Sequence, residues 1–361
     1  MRKSRLSLAL LGSLGLAACQ GSTSEILALG ENAPLPKDAL TIMRAKGMTP
    51  SSPIMMRIFK EESVLEVWKQ QDTGRFELVK SYEICKHSGD KGPKFKEGDR
   101  QAPEGFYYVG RAQMNPRSNY HLSFNLGFPN AYDRSHGRTG THLMVHGDCS
   151  SAGCYAMTDE GIAEIYAFAR EALNGGKQTQ FLVKAYPFRM TAENMARHHD
   201  HEHFDYWTML KEGYDHFELT NQPPKVDVCE KRYVFNQQSE SRFIASAQCP
   251  ADMKMPDNLA AAYQAQQVTY QAQFDKALAA IKKKKEAEEA KAVAAAAAQA
   301  EKAAAAATQA AEEAETVVPV AEPAVVDASV TTPTLEARPA VIEASDFPPS
   351  PTPLPVPVAR Q

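Results

Sequence analysis

The sequence predicts an α+β protein with a single β-rich catalytic-sized domain, a mixed-sheet sandwich or barrel carrying one main helix, followed by a long Ala-rich helix and a Pro-rich disordered tail. Three observations point there. Short alternating apolar runs recur between Pro53 and Val145; one amphipathic run begins after Thr158; and beyond Pro256 the composition turns to Ala, Lys and Glu, then to Pro. The chain has 361 residues, 43% hydrophobic and 23% charged. These are ordinary globular values, and the formal net charge of -4 supplies no basic field for nucleic acid. With the biased C-terminal stretches set aside, about 200 residues remain, enough for one ordinary core but not for two. No run of about 20 apolar residues exists to make a spanning helix.

Residues 1–18 read as an address. Arg2, Lys3 and Arg5 precede an apolar run from Leu6 to Leu16, too short for a bilayer and suited to a secretory signal. Leu16-Ala17-Ala18-Cys19 resembles the bacterial lipoprotein cleavage box, so Cys19 is expected to become a lipidated N-terminus. Gln20 rather than Asp follows it, which in Gram-negative lipoproteins implies sorting to the outer membrane. The expected location is therefore the periplasm, with the chain lipid-anchored to that membrane. Residues 19–52, interrupted by Pro34, Pro36 and Pro50, read as a tether with at most a short helix.

The domain proper is expected over 53–218. Ile54 to Phe59, Val64 to Trp68 and Phe76 to Val79 alternate as strands, with Gln71-Asp72-Thr73-Gly74 as a hairpin turn. Gly89 to Glu104 is a long polar loop. Phe106 to Val109, Tyr120 to Phe124 and His142 to Val145 follow as strands. Thr158 is a good N-cap, Asp159 and Glu160 suit a helix N-terminus, and Asn174-Gly175-Gly176 stops the helix. Its Ile162, Ile165, Tyr166, Ala169 and Leu173 share one face. Phe181 to Ala185 is a further strand, ended by Pro187. Residues 219–255 form a C-terminal extension in which Tyr233 to Phe235 and Phe243-Ile244 read as a hairpin stapled by a Cys229–Cys249 disulfide, a closure that contributes roughly 3 kcal/mol in the chain-entropy picture. Residues 256–315 make the helix, which has no broad apolar face, and 316–361 the tail.

The chemistry concentrates in His146-Gly147-Asp148-Cys149-Ser150-Ser151-Ala152-Gly153-Cys154. A thiol at a turn leading into a helix lies near free backbone N–H groups, which lower its pKa and can receive an oxyanion. A histidine in reach completes the thiolate–imidazolium pair of cysteine acyl-transfer enzymes. A His and a Cys eight residues apart are by themselves weak evidence, and on that spacing alone a structural thiol beside a core histidine is the better reading.

This block, Ser151-Ala152-Gly153-Cys154 preceded by His146-Gly147, resembles the active-site motif of the L,D-transpeptidase (YkuD-type) family of peptidoglycan enzymes, and in particular its YafK-like branch of murein transpeptidase-like lipoproteins. The likeness runs from about Pro53 to Glu218 and takes in Ile84-Cys85-Lys86-His87-Ser88-Gly89, Gly92-Pro93-Lys94, Glu97-Gly98-Asp99, Pro103 to Tyr107, Gly127 to Arg134, Tyr186 to Met190 and Gly213-Tyr214-Asp215. By this resemblance Cys154 is the nucleophile, His146 its base, and the Gly147 carbonyl orients the imidazole. The active-site turn with Ser151 and Gly153 would supply oxyanion donors from the Gly153 and Cys154 amides. The implied activity is acyl transfer through a thioester on meso-diaminopimelate-containing stem peptides, in cell wall biogenesis and cell shape. Two departures stand out: most members carry an arginine two residues after the cysteine, where this chain has Ala156, and a longer loop between histidine and cysteine. Both weaken cross-linking more than cysteine chemistry, so an amidase releasing stem residues or wall-linked lipoprotein is the alternative. A non-catalytic wall-binding lipoprotein is the reading from outside enzymology. No cofactor is implied.

Arg197 to His203 invites a zinc reading through His199 and His203, but it has no HExxH order, and a solvated polar stretch is the expectation; no metal is assigned. His121, His136 and His142 are expected to be structural or to line the rim. Lys282 to Lys285, compensated by nearby Glu, read as a solvated helix face. Five cysteines remain after Cys19, so at least one is free. Cys85 and Cys149 either pair or leave Cys149 a buried thiol.

Overall fold

A computed structural model describes residues 27–315 of the chain. The expected signal segment with Cys19 and the expected Pro-rich tail from 316 onward therefore lie outside the described residues. The described residues divide into two units, the first ending at Ala292 and the second beginning at Val293. Everything positioning the candidate site belongs to the first; the described part of the second is helical, with Val293 at 70% exposure.

The alternating apolar runs become a mixed five-stranded sheet. Its strands are β1 (Ile54–Phe59), β2 (Val64–Gln70), β3 (Phe76–Glu83), β5 (Gly105–Gly110) and β10 (Gln180–Tyr186), in the order β3-β2-β1-β10-β5. β1 and β10 run parallel, with Met56 opposite Val183, and the other neighbours are antiparallel. Every residue of β1 is buried, because both faces of this sheet are covered. Met56, Ile58, Val183 and Ala185 face a core shared with the helix Asp159–Asn174, whereas Phe59, Leu182 and Tyr186 face Trp207, Leu210 and Tyr214.

A second five-stranded sheet, in the order β4-β9-β8-β7-β6, carries the candidate site. It consists of β4 (Lys86–His87), β6 (Met114–Ser118), β7 (His121–Asn125), β8 (Met144–His146) and β9 (Tyr155–Ala156). The described helices are α1 (Lys37–Ala45), α2 (Ala131–Ser135), α3 (Asp159–Asn174), α4 (Ala192–Arg197), α5 (Phe204–Thr220) and α6 (Asp257–Glu315). Thr158 caps α3 by accepting the Gly161 N–H at 3.0 Å, and Ile162, Ile165, Tyr166, Ala169 and Leu173 are all buried. Helix α3 lies against both sheets, contacting β7 and β8 of one and β1 and β10 of the other.

Three findings differ from the sequence expectation. The stretch 19–52 is not a free tether once the description begins: Ala33, Leu35, Ala39, Met43 and Met48 are buried in the main core. A second long helix, α5, accompanies the one expected main helix, and covers the opposite face of the first sheet with Trp207, Leu210, Tyr214 and Phe217. In the segment 219–255 the hairpin partner of β12 (Arg232–Phe235) is β11 (Val226–Cys229), not Phe243-Ile244, which is irregular. Cys229 and Cys249 are disulfide-bonded, with Cα atoms 5.0 Å apart. The N-terminal part of α6 also docks on α5: the Tyr263 ring packs against His216 and Phe274 against Phe204, both tilted, and Gln267 donates to Asp215 at 3.0 Å.

Candidate active site

Strands β8 and β9 lie parallel, with Val145 opposite Tyr155 and His146 opposite Ala156. This pairing folds the loop 147–153 back so that the residue before β9, Cys154, reaches the start of β8. Its Sγ lies 3.4 Å from the Met144 N–H and 3.5 Å from the His142 carbonyl, which the thiol can donate to. Cys154 is the free cysteine among the described residues and is partly exposed. His146, at the other end of β8, is 3% exposed, and its Nδ1 lies 2.6 Å from the Gly147 carbonyl. A carbonyl only accepts, so Nδ1 carries the proton and Nε2 is left with its lone pair.

Gly147 is required by space. A β-carbon on it would overlap the Asp159 carboxylate and lie 2.9 Å from the Tyr120 carbonyl oxygen and 3.1 Å from Ile162 Cγ2. Its N–H donates to the Tyr120 and Leu122 carbonyls, and Asp159 receives the Asp148 N–H at 2.8 Å. The Tyr120 ring covers the imidazole at a centroid separation of 4.8 Å. Sequence reasoning missed Tyr120 and treated Asp159 only as a favourable helix-start charge.

The electrostatics correct one expectation. Cys154 is not at a helix N-terminus: β9 and Met157 intervene before α3 begins at Asp159, so the helix does not lower its pKa. Burial pushes the thiol up, partly offset by the Met144 N–H and the charge of Lys94. Burial pushes His146 down, partly offset by the Gly147 carbonyl and Asp148. Both directions favour the neutral thiol and the neutral imidazole, the protonation states that general-base activation starts from, rather than a preformed ion pair.

The turn itself also differs from what the resemblance implies. The Gly153 and Cys154 N–H groups both point at Ser151 Oγ, at 3.3 and 3.1 Å, and Ser151 bonds the Cys154 carbonyl at 2.7 Å. Both candidate oxyanion donors are therefore occupied by Ser151 here. Ser88 Oγ lies 3.0 Å from Ser151 Oγ, a contact that sequence reasoning did not assign although Ser88 sits in a family-like motif. Cys85 and Cys149 are disulfide-bonded, resolving the open alternative, with Cα atoms 5.3 Å apart.

The rim is shaped by the loop before β5. Asp99 pairs with buried Lys94 and receives the N–H groups of Phe95, Lys96 and Gln101 at 2.9 to 3.0 Å. Beneath the loop a fully buried pair, Lys60 and Glu104 at 3.0 Å, is completed by Gly92 N–H and Trp207 Nε1–H on the Glu104 carboxylate. Phe95 and Tyr120 stand exposed at the surface.

Of the remaining histidines, His136 lies 2.8 Å from the Lys231 carbonyl, His121 is at a left-handed position in β7, and His142 contributes its carbonyl to the thiol. His199 pairs with Asp200 and His203 meets the Phe95 ring at a tilt of 49°, in a segment that is not helical. Among the described residues no cluster of three His, Cys, Asp or Glu side chains is placed to hold a metal ion.

The family model described as the L,D-transpeptidase catalytic domain (YkuD) matches residues 55–180. The chain belongs to this family of L,D-transpeptidase-type, peptidoglycan-acting enzymes. It is 45% identical over 234 residues to the protein called "Putative L,D-transpeptidase YafK" in Escherichia coli K12, covering 65% of this chain and 90% of that relative; the Escherichia coli O157:H7 protein of the same name matches equally. Two solved structures are also similar: the helical cell shape determining protein Pgp2 from Campylobacter jejuni (18% identity, 52% of this chain and 79% of that one, TM-score 0.30) and Bd1075 from Bdellovibrio bacteriovorus (14%, 49% and 76%, TM-score 0.28). The assignment rests on the sequence matches.

Proposed function

We propose that the protein is a cysteine acyl-transfer enzyme working through a thioester on peptidoglycan stem peptides that contain meso-diaminopimelate. The observation that carries this reading is the β8–β9 pair, which brings Cys154 and His146 to the two ends of one three-residue strand, with the imidazole already oriented by Gly147. Cys154 Sγ attacks a stem-peptide carbonyl while His146 Nε2 takes its proton. The proton passes to the departing amine as the carbon–nitrogen bond breaks, and the acyl group stays on sulfur. An incoming amine or a water then releases it, its own proton passing to His146 and on to the sulfur.

Ala156 favours water as the second acceptor. It is completely buried in β9 at the position where most of the family carries an arginine, so a charged contact to substrate is missing there. A hydrolase releasing stem residues or wall-linked lipoprotein fits that difference. The N-terminal segment adds a location: export, lipidation of Cys19 and anchoring to the outer membrane, facing the periplasm. The mass of the N-terminal peptide from membrane fractions tests it, and an unmodified Cys19 would refute it.

The decisive experiment incubates purified protein with muropeptides and weighs the products. A dimer mass means transfer; loss of a residue or release of lipoprotein means hydrolysis. Absence of both, with no thioester on Cys154 and no difference from Cys154→Ala, would leave the wall-binding reading instead.

A further inference from the structure

Four consecutive residues, Cys85 to Ser88, grip the turn that presents Cys154 in three separate ways. Cys85 is bonded to Cys149, in the loop between His146 and Cys154. Lys86 and His87 form β4 and pair with Ala156 and Tyr155, the residues immediately after the thiol. Ser88 Oγ contacts Ser151 Oγ at 3.0 Å, and Ser151 binds the N–H groups of Gly153 and Cys154 and the Cys154 carbonyl. The grip has a firm base: His87 Nε2 lies 3.1 Å from the carbonyl of Lys60, whose side chain forms the buried pair with Glu104.

The loop needs this restraint. Asp148 and Cys149 hold φ values of 67° and 45°, a left-handed conformation that costs free energy for residues with side chains. Restraint on a strained loop is lost when its tie is cut. We propose that Cys85 and Ser88 are positioning residues for Cys154, and that the Cys85–Cys149 disulfide makes the reactivity of Cys154 dependent on dithiol reductants. The proposal rests on the reading of Cys154 as a nucleophile.

The redox step balances with a dithiol as two-electron donor. One reductant thiolate attacks a sulfur of the disulfide, the second closes the reductant to a cyclic disulfide, and Cys85 and Cys149 leave as two thiols. The loop 147–153 can then relax its left-handed residues, and Ser151 no longer holds the Cys154 amide in place.

The test uses the full chain and follows acylation of Cys154 by a carbapenem, located by peptide mass. Acylation of the wild type is expected to slow roughly tenfold or more in dithiol, the scale of a misplaced reacting group. The maximal rate should fall while the half-saturating carbapenem concentration stays the same. The Cys85→Ala/Cys149→Ala double variant should be slow from the outset and indifferent to dithiol, which separates this bond from Cys229–Cys249. Ser88→Ala should also be slow, and Ser88→Thr should recover the rate. A folded double variant acylating at the wild-type rate overturns the proposal, as does a wild type unmoved by dithiol when mapping finds Cys85 and Cys149 reduced. Where the double variant fails to fold, Ser88→Ala at full rate overturns the Ser88 tie and wild type unmoved by dithiol overturns the disulfide tie. Because the carbapenem is no stem peptide, dithiol-sensitive acylation without any muropeptide turnover would sink the proposed substrate and leave this inference standing.

Discussion

Gly147 lies against Asp159 with no room for a β-carbon between them, and the Tyr120 carbonyl oxygen blocks the other side at 2.9 Å from where that carbon would be. The same glycine supplies the carbonyl that orients His146. Gly147→Ala must therefore displace either backbone or the start of α3. We expect a loss of about 1–3 kcal/mol in stability, the usual range for overpacking, together with a fall in Cys154 acylation larger than stability explains. Urea unfolding and acylation rate, measured on one preparation, check both; a variant with wild-type values in each would contradict the packing argument.

The pH dependence follows from the two shifts. His146 is held below the ordinary imidazole value of about 6.5, so it stays neutral and able to accept a proton through that pH, and the acid limb of the rate profile should lie below it. Cys154 is held above the ordinary thiol value of about 8.5, so little thiolate forms at neutral pH without help. His146→Gln should lose roughly 10²–10⁴-fold near pH 7 and recover part of it as alkali deprotonates the thiol directly. Parallel profiles for variant and wild type would show that His146 is not the base.

Glu104 is fully buried and answers three donors: Lys60 Nζ, Gly92 N–H and Trp207 Nε1–H. Glu104→Ala strands the Lys60 charge in the interior, which typically costs about 3–5 kcal/mol, whereas Glu104→Gln keeps an acceptor and should cost less. Denaturant midpoints of the two variants give the comparison; equal, small shifts would mean that water reaches the pair.

His216 is buried, accepts from Asn236 Nδ2 at 2.9 Å through Nδ1, and its pKa is pushed down by burial to about 4. The unfolded chain takes up this proton below about 6.5 and the folded chain only near 4, so folding stability should fall as pH drops through that window. The full loss is on the order of 3 kcal/mol. His216→Gln should flatten this part of the stability profile, and an unchanged slope between pH 6.5 and 4 would assign the acid sensitivity to other groups.

Legibility followed locality. β2 and β3 with the Gln71–Gly74 turn, and α3 with its Thr158 cap, depend on neighbours in sequence and could be read directly. Helix α5 could not. It is enclosed by the first sheet on one side and by the β11–β12 hairpin and α6 on others, so buried Lys211, Asp215 and His216 blur its apolar pattern, and Gly213 breaks its helical signal. That glycine is there because Phe106 and Phe235 would each lie 2.5 Å from a β-carbon. The two-residue strands β4 and β9 are likewise invisible in sequence: β4 exists only through the distant pairs Lys86–Ala156 and His87–Tyr155, and β9 through those pairs and its pairing with β8.

The sequence by itself determined which residues are chemically equipped to act: Cys154 and His146 eight positions apart, with Gly147 and small residues between them. Side-chain identity is local, so it survives without a fold. Tertiary structure alone decided their state. The expected helix dipole at Cys154 is absent because β9 intervenes, the expected oxyanion donors are taken by Ser151, and burial sets both ionisations toward neutrality. Field, desolvation and hydrogen bonding depend on which distant segments surround a group. For this site those segments are Cys85 to Ser88, Lys94 and Tyr120, brought to it by sheet pairing and loop closure.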